Sequence, residues 1–140
     1  MVVIADFPNT SIEPFVQTSN EDPSYNCVAW AAGDNSRWYW PDPYGIYYWP
    51  AEIPRENTVD SLVTLYEFLG YVKCEDGTYE ENFTKVAVFS RGDTPTHAAR
   101  QLENGNWTSK LGSNIDVEHS IYGIENGVYG QVVQYLKRQI

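Results

Sequence analysis

The sequence predicts an α+β domain, in which a short cysteine-bearing helix packs on an antiparallel sheet and a C-terminal helix closes the chain. Three observations lead there. Helix-forming signals fall early, between residues 24 and 69. Strand-like segments and a hairpin signal fall between residues 85 and 111. The last residues return to a helical spacing of apolar side chains. A length of 140 residues suits one domain, 1–140, and 42% apolar side chains suffice for a core without disulfide staples.

Residues 1–22 read as an irregular lead-in, because Pro8, Pro14 and Pro23 interrupt any periodicity. Over residues 24–33, Ser24 or Asn26 caps a short helix, Ala29, Ala31 and Ala32 favour it, and Gly33 ends it. Cys27 then sits in the first helical turn. Residues 38–50 hold Trp38, Tyr39, Trp40, Tyr44, Tyr47, Tyr48 and Trp49, and Pro41, Pro43 and Pro50 make them an ordered aromatic loop. Beside it, Arg37 has an acidic neighbour to pair with and rings to stack on.

Thr58 caps a helix in which Leu62, Leu65, Tyr66 and Leu69 recur at helical spacing before Gly70. Residues 85–90 form a short buried strand. Residues 96–103 and 106–111 flank Asn104-Gly105, a strong hairpin signal. Residues 129–138 read as the closing helix, with Val132, Val133 and Leu136 inside.

The hairpin register places the candidate chemistry. A two-residue turn sets Glu103 opposite Asn106. Ala98, Leu102, Trp107 and Leu111 then share the core face, while His97, Gln101, Thr108 and Lys110 share the other. The same alternation carried past Gly112 brings Asn114 and Asp116 toward the His97 face.

A formal charge of −10 opposes binding to nucleic-acid phosphates and to anionic lipid. No apolar run is long enough to span a membrane, and the N-terminus lacks the basic start of a secretion signal, so a cytoplasmic location is expected. Cys27 and Cys74 are no disulfide framework. Cys27, Cys74, His97 and His119 lack the paired spacing of a zinc site, and no metal or other cofactor is expected.

A thiol attacks as thiolate, which a helix N-terminus favours, and a histidine within reach completes its activation. The order along the chain is Cys27 at a helix start, His97 on a strand, then Asn114 or Asp116 after the next strand. A free cysteine buried as a small apolar side chain is the plain alternative. The aromatic loop serves either as a groove wall or as a satellite core.

The segments Asn26-Cys27-x-Ala29-Trp30-Ala31, Thr96-His97-Ala98-Ala99-Arg100-Gln101-Leu102 and Trp107-Thr108-Ser109-Lys110-Leu111-Gly112 resemble papain-like cysteine hydrolases, including the NlpC/P60-type amidases. More narrowly they resemble a small bacterial domain family with no established activity. The resemblance implies a papain-like fold, with Cys27 as nucleophile and His97 as base. It offers Asp116 or Asn114 as the orienting group, with His119 also eligible. No glutamine lies just before Cys27, so the oxyanion donors would be backbone N–H groups near it.

The expected function is therefore a cysteine hydrolase or acyl transferase, of peptidase, amidase or deamidase type, acting on a basic or neutral peptide or protein. Asn26, Trp30, Trp38, Trp40, Lys110 and His119 complete the candidate substrate-binding set. The rival is a non-catalytic acidic module on the same fold, antitoxin-like or accessory, that binds a basic protein partner.

Overall fold

The computed structural model describes residues 4–140. Its elements are β1 (Val16–Gln17), α1 (Cys27–Ala31), α2 (Val59–Phe68), β2 (Val72–Cys74), β3 (Phe83–Arg91), β4 (Thr94–Gln101), β5 (Trp107–Lys110), β6 (Asp116–His119), α3 (Ile121–Ile124) and β7 (Gln131–Gln139). The strands form one sheet in the order β1-β6-β5-β4-β3-β7-β2, and every pairing is antiparallel. This β-rich architecture overturns the expected papain-like α+β class. Strands make up most of the regular secondary structure, and the helices beside the sheet are short.

The largest correction is the C-terminal segment. It forms β7, which pairs with β3 on one side and β2 on the other. The ladder slips between Val88 and Phe89, so Val133 has no partner of its own, while Val132 faces Phe89 and Leu136 faces Val86. A bulge of this kind shifts the two-residue alternation by one place. Val132 and Leu136 thus lie on opposite faces, although their spacing of four mimics a helix. Gly130 makes the turn into β7 at φ +77, and a Cβ there would stand 2.2 Å from the Ser90 carbonyl oxygen.

The lead-in is also more ordered than its prolines suggest. Phe7 and Phe15 are buried, and Val16–Gln17 adds an edge strand to β6.

The sheet separates two cores. On one face α1 and α2 pack Val28, Leu62 and Tyr66 against Val86, Val88 and Ala98. On the other, Phe7, Phe15 and Ile124 cover Phe89, Trp107 and Val117. α2 follows its sequence signals closely: the Thr58 side chain accepts from the Ser61 N–H, and Leu62, Leu65 and Tyr66 are buried.

The hairpin register differs from the two-residue expectation. Arg100 pairs with Thr108 and Gln101 with Trp107. The Leu102 N–H donates to the Asn106 carbonyl at 2.7 Å and the Gly105 N–H to the Leu102 carbonyl at 3.0 Å. Gly105 has a positive φ, +88, and Asn104 does not, so the loop has three residues ending in a glycine bulge. The shift moves every β5 side chain to the other face relative to expectation. His97 consequently shares a face with Trp107, opposite to the predicted arrangement.

Candidate active site

α1 owes its start to Asn26. Its Oδ1 accepts from the Ala29 N–H at 3.2 Å and from the Tyr39 N–H at 3.0 Å, and its Nδ2 donates to the Tyr39 carbonyl at 2.7 Å. One side chain thus caps the helix and fastens the aromatic loop to it. Further along the loop, the Trp40 N–H donates to the Tyr48 carbonyl and the Tyr48 N–H to the Trp38 carbonyl, and the Asp42 carboxylate accepts from the Ile46 and Tyr47 N–H groups. Arg37 pairs with Asp34 at 3.3 Å and stacks 3.6 Å over the Tyr48 ring. The loop is held from both ends.

Cys27 is the first residue of α1 and is 6% exposed. It lines a cavity of about 340 Å³ with Asn26, Trp38, Trp40, Tyr47 and Tyr129. No ionisable side chain other than Cys27 and the two tyrosines lines it. Burial pushes the thiol up to about 11, against the Ala98, Val28 and Cys27 backbone N–H groups beside the sulfur, which pull it down. Desolvation outweighs the helix terminus here, contrary to the lowered pKa expected for Cys27.

β4 and β5 pair only at Arg100–Thr108 and Gln101–Trp107, and toward His97 and Lys110 they part. The Ala98 N–H beside the Cys27 sulfur belongs to this unpaired stretch of β4. His97 lies fully buried, directly before it, with its ring on the far face between Phe89, edge-on at 5.2 Å, and Tyr129, stacked at 4.0 Å. A bulge at Thr96, where Ser90 pairs with Pro95 and Phe89 with His97, accompanies the turn of the strand. Thr96 bonds the Tyr129 carbonyl and, like Tyr129, lines the Cys27 cavity. His97 and Cys27 share no hydrogen bond among the described residues.

The His97 ring belongs instead to a chain of buried polar groups. Its Nε2 stands 2.8 Å from Ser109 Oγ, which stands 2.6 Å from His119 Nε2; His119 Nδ1 is 2.8 Å from the Ser120 carbonyl oxygen. Proton accounting fixes the directions. A carbonyl only accepts, so His119 Nδ1 carries the proton. Burial keeps His119 neutral, down to about 4, so its Nε2 accepts from the Ser109 hydroxyl. Ser109 Oγ then accepts from His97 Nε2–H. Burial, reinforced by His119, holds His97 well below the ordinary imidazole range, so its Nδ1 keeps a free lone pair, and it has no hydrogen-bond partner. It is a base fixed in one tautomer.

Of the three orienting candidates, His119 joins the His97 chain through Ser109, while Asp116 and Asn114 do not. Asp116 lies on the α1 face, where its Oδ2 accepts from Tyr25 Oη at 2.7 Å and its Oδ1 is buried without a partner. Asn114 sits exposed in the β5–β6 turn. The one-residue register shift accounts for both. Trp38 and Trp40 reach the cysteine cavity as expected, but Trp30 donates to Thr108 Oγ1 at 3.0 Å and lines a separate cavity.

Lys110 is wholly buried, its Nζ donating to the Asp22, Tyr25 and Gly112 carbonyls, so it is not free to meet a ligand. His119 is equally enclosed. Ser109 and Tyr129 escaped the sequence reading. Ser109 falls two residues from Trp107, and a register one residue different would have aligned it with His97.

Residues 16–137 match a family described as a domain of unknown function, DUF7689. The chain belongs to that family. No curated protein and no solved structure matches it. Among the described residues, no helix is long and apolar enough to cross a membrane, and no three His, Cys, Asp or Glu side chains converge as metal ligands.

Proposed function

We propose that the protein is a cysteine hydrolase or acyl transferase acting on an amide or thioester bond of a peptide or protein, with Cys27 as nucleophile and His97 as base. The observation that carries the reading is the free Nδ1 lone pair of His97, next in sequence to the Ala98 N–H beside the Cys27 sulfur. Toward both side chains the β4 and β5 strands are unpaired with each other. Catalytic hydrogen bonds are often loose before substrate closes the site.

As Cys27 Sγ attacks the carbonyl carbon, its proton passes to His97 Nδ1 and the carbonyl electron pair moves to oxygen. The amides of Cys27 and Val28 stand near enough to the sulfur to donate to that oxyanion. Collapse of the intermediate expels the leaving amine or thiolate, which takes the proton back from His97. Water or an acceptor amine then resolves the thioester by the reverse sequence. Ser109 and His119 hold the ring throughout, and the low proton affinity of His97 favours rapid release of the proton to the leaving group. The resting pair is a neutral thiol and a neutral imidazole, so deprotonation accompanies attack.

The aromatic cavity walls and the net charge of −10 favour a basic or neutral peptide segment over an acidic one. The test is a peptidyl fluoromethyl ketone with an aromatic or basic side chain, read by mass spectrometry. It should label Cys27 and spare Cys74, and His97→Ala should slow labelling at least ten-fold. Equal labelling of the two thiols, or indifference to His97→Ala, overturns the assignment. The 6% exposure of Cys27 favours the rival, a binding module. That rival predicts that Cys27→Ala leaves peptide binding intact while no acyl-enzyme forms on the unaltered protein.

A further inference from the structure

At the opposite end of α1 lies a second cavity, of about 730 Å³, whose lining includes Trp30, Tyr71, Thr84, Arg100, Arg138 and Gln139. Arg100 and Arg138 project from the same face of the sheet, because Arg100 pairs with Val86 and Arg138 with Thr84, two residues away on β3.

Both guanidinium groups are held in place. Arg100 Nε donates to the Trp30 carbonyl in the last turn of α1 at 3.5 Å, and its guanidinium lies 5.3 Å over the Trp30 ring. Arg138 Nη1 donates to the Leu69 carbonyl at the C-terminal cap of α2 at 2.9 Å, and its guanidinium lies 4.6 Å over the Tyr71 ring. Each arginine spends one N–H on a helix end, and a planar fork has five.

Neither arginine closes an ion pair among the described residues; those ion pairs engage Arg37, Arg55, Lys85 and Lys137. Two cations share a cavity wall without a carboxylate within ion-pair distance, in a protein with 19 acidic and 9 basic residues. Capping a helix needs one cation at each end and does not require the two to line one space. Burial also lowers the Arg100 pKa, and the nearby Tyr71 and Asp116 offset this only in part.

We propose that this cavity binds an oxyanion, a phosphate or carboxylate group of a small ligand, held jointly by Arg100 and Arg138. The fork of arginine matches two oxygens of either group in parallel. Trp30 and Tyr71 form flat apolar walls for whatever carries the anion. The site stands on its own residues and does not depend on Cys27 acting as a nucleophile.

The test uses the full chain with inorganic phosphate, acetate and chloride at matched ionic strength, followed by NMR of the arginine side-chain Nε–H groups. Phosphate or acetate should shift the Arg100 and Arg138 signals saturably, while chloride does not. The oxyanion that saturates at the lower concentration identifies the class. Arg100→Gln and Arg138→Gln should each weaken that oxyanion at least ten-fold by calorimetry, with Cys27 labelling unchanged. Should a glutamine variant fail to fold, Arg100→Lys and Arg138→Lys keep the helix-end charge and should still weaken binding through loss of the fork. No saturable shift with either oxyanion, an equal shift with chloride, or unweakened binding in the folded variants overturns the proposal.

Discussion

Lys110 and His97 are both wholly buried, on neighbouring strands and opposite faces of the sheet, and they are treated differently. Lys110 has its three protons taken by three backbone carbonyls, and its ammonium lies 4.6 Å from the Tyr25 ring. His97 has one nitrogen bonded through Ser109 and the other left bare. A buried polar group with every bond made pins loops to a sheet, here the 22–25 and 112 segments. One left half-made retains a capacity to react.

The largest expected effect comes from acid. Unfolded imidazoles titrate near 6.5, whereas burial pushes His119 down to about 4 and His97 well below its ordinary range. Above 6.5 both rings are neutral folded or unfolded, and they impose no pH dependence. As pH falls through 6.5, the unfolded chain takes up protons that the folded one refuses, so stability is lost. By pH 5 each ring should account for about 2 kcal/mol. Urea midpoints at pH 7 and pH 5 measure this, and His119→Gln should remove about half of the loss. A flat profile would break the comparison, since it would mean the relay holds a charge.

Next in size is Lys110→Met, which strands three buried carbonyls and should destabilise by about 3 kcal/mol in chemical denaturation at pH 7. Ser109→Ala should cost less, about 2 kcal/mol, because it leaves one donor and one acceptor unpaired. It should also free His97 to change tautomer, so the nitrogen spectrum of its ring should lose the Nε2–H form while Ser109→Thr keeps it. If Ser109→Ala leaves the ring spectrum unaltered, the hydroxyl does not set the tautomer. Smallest is Thr58→Ala, about 1 kcal/mol for a lost helix cap, accompanied by faster amide exchange at Ser61.

The local elements were legible where one residue decides them. Asn26 and Thr58 each have the short polar side chain that a helix start requires, and both cap the helices placed there. The strand around Lys85 was legible from its unbroken apolar run. Cys27, Trp38 and Trp40 were found as neighbours because the aromatic loop and the helix start are adjacent in sequence and Asn26 ties them together. The site's second half was not legible. Asp116 and Asn114 stood beside His119 as candidates for the orienting group and Ser109 was not named, because a three-residue loop at Gly105 shifts the register and reverses which face each β5 side chain takes.

By itself the sequence determined the identity and local setting of the groups: a cysteine at a capped helix start, a rigid aromatic loop, and a histidine on a strand. Those follow from backbone preferences that act over a few residues. Only the tertiary structure decided that residues 131–139 are a strand, since β3 offers an open edge and Gly130 permits the turn, and a bulge at Val133 disguises the alternation as helical spacing. It alone decided that His97 looks toward Ser109 and that Arg100 meets Arg138, side chains 38 positions apart in the numbering. Pairing register and sheet order come from long-range closure, and the energy that selects them is spread over the whole core rather than written at any one position.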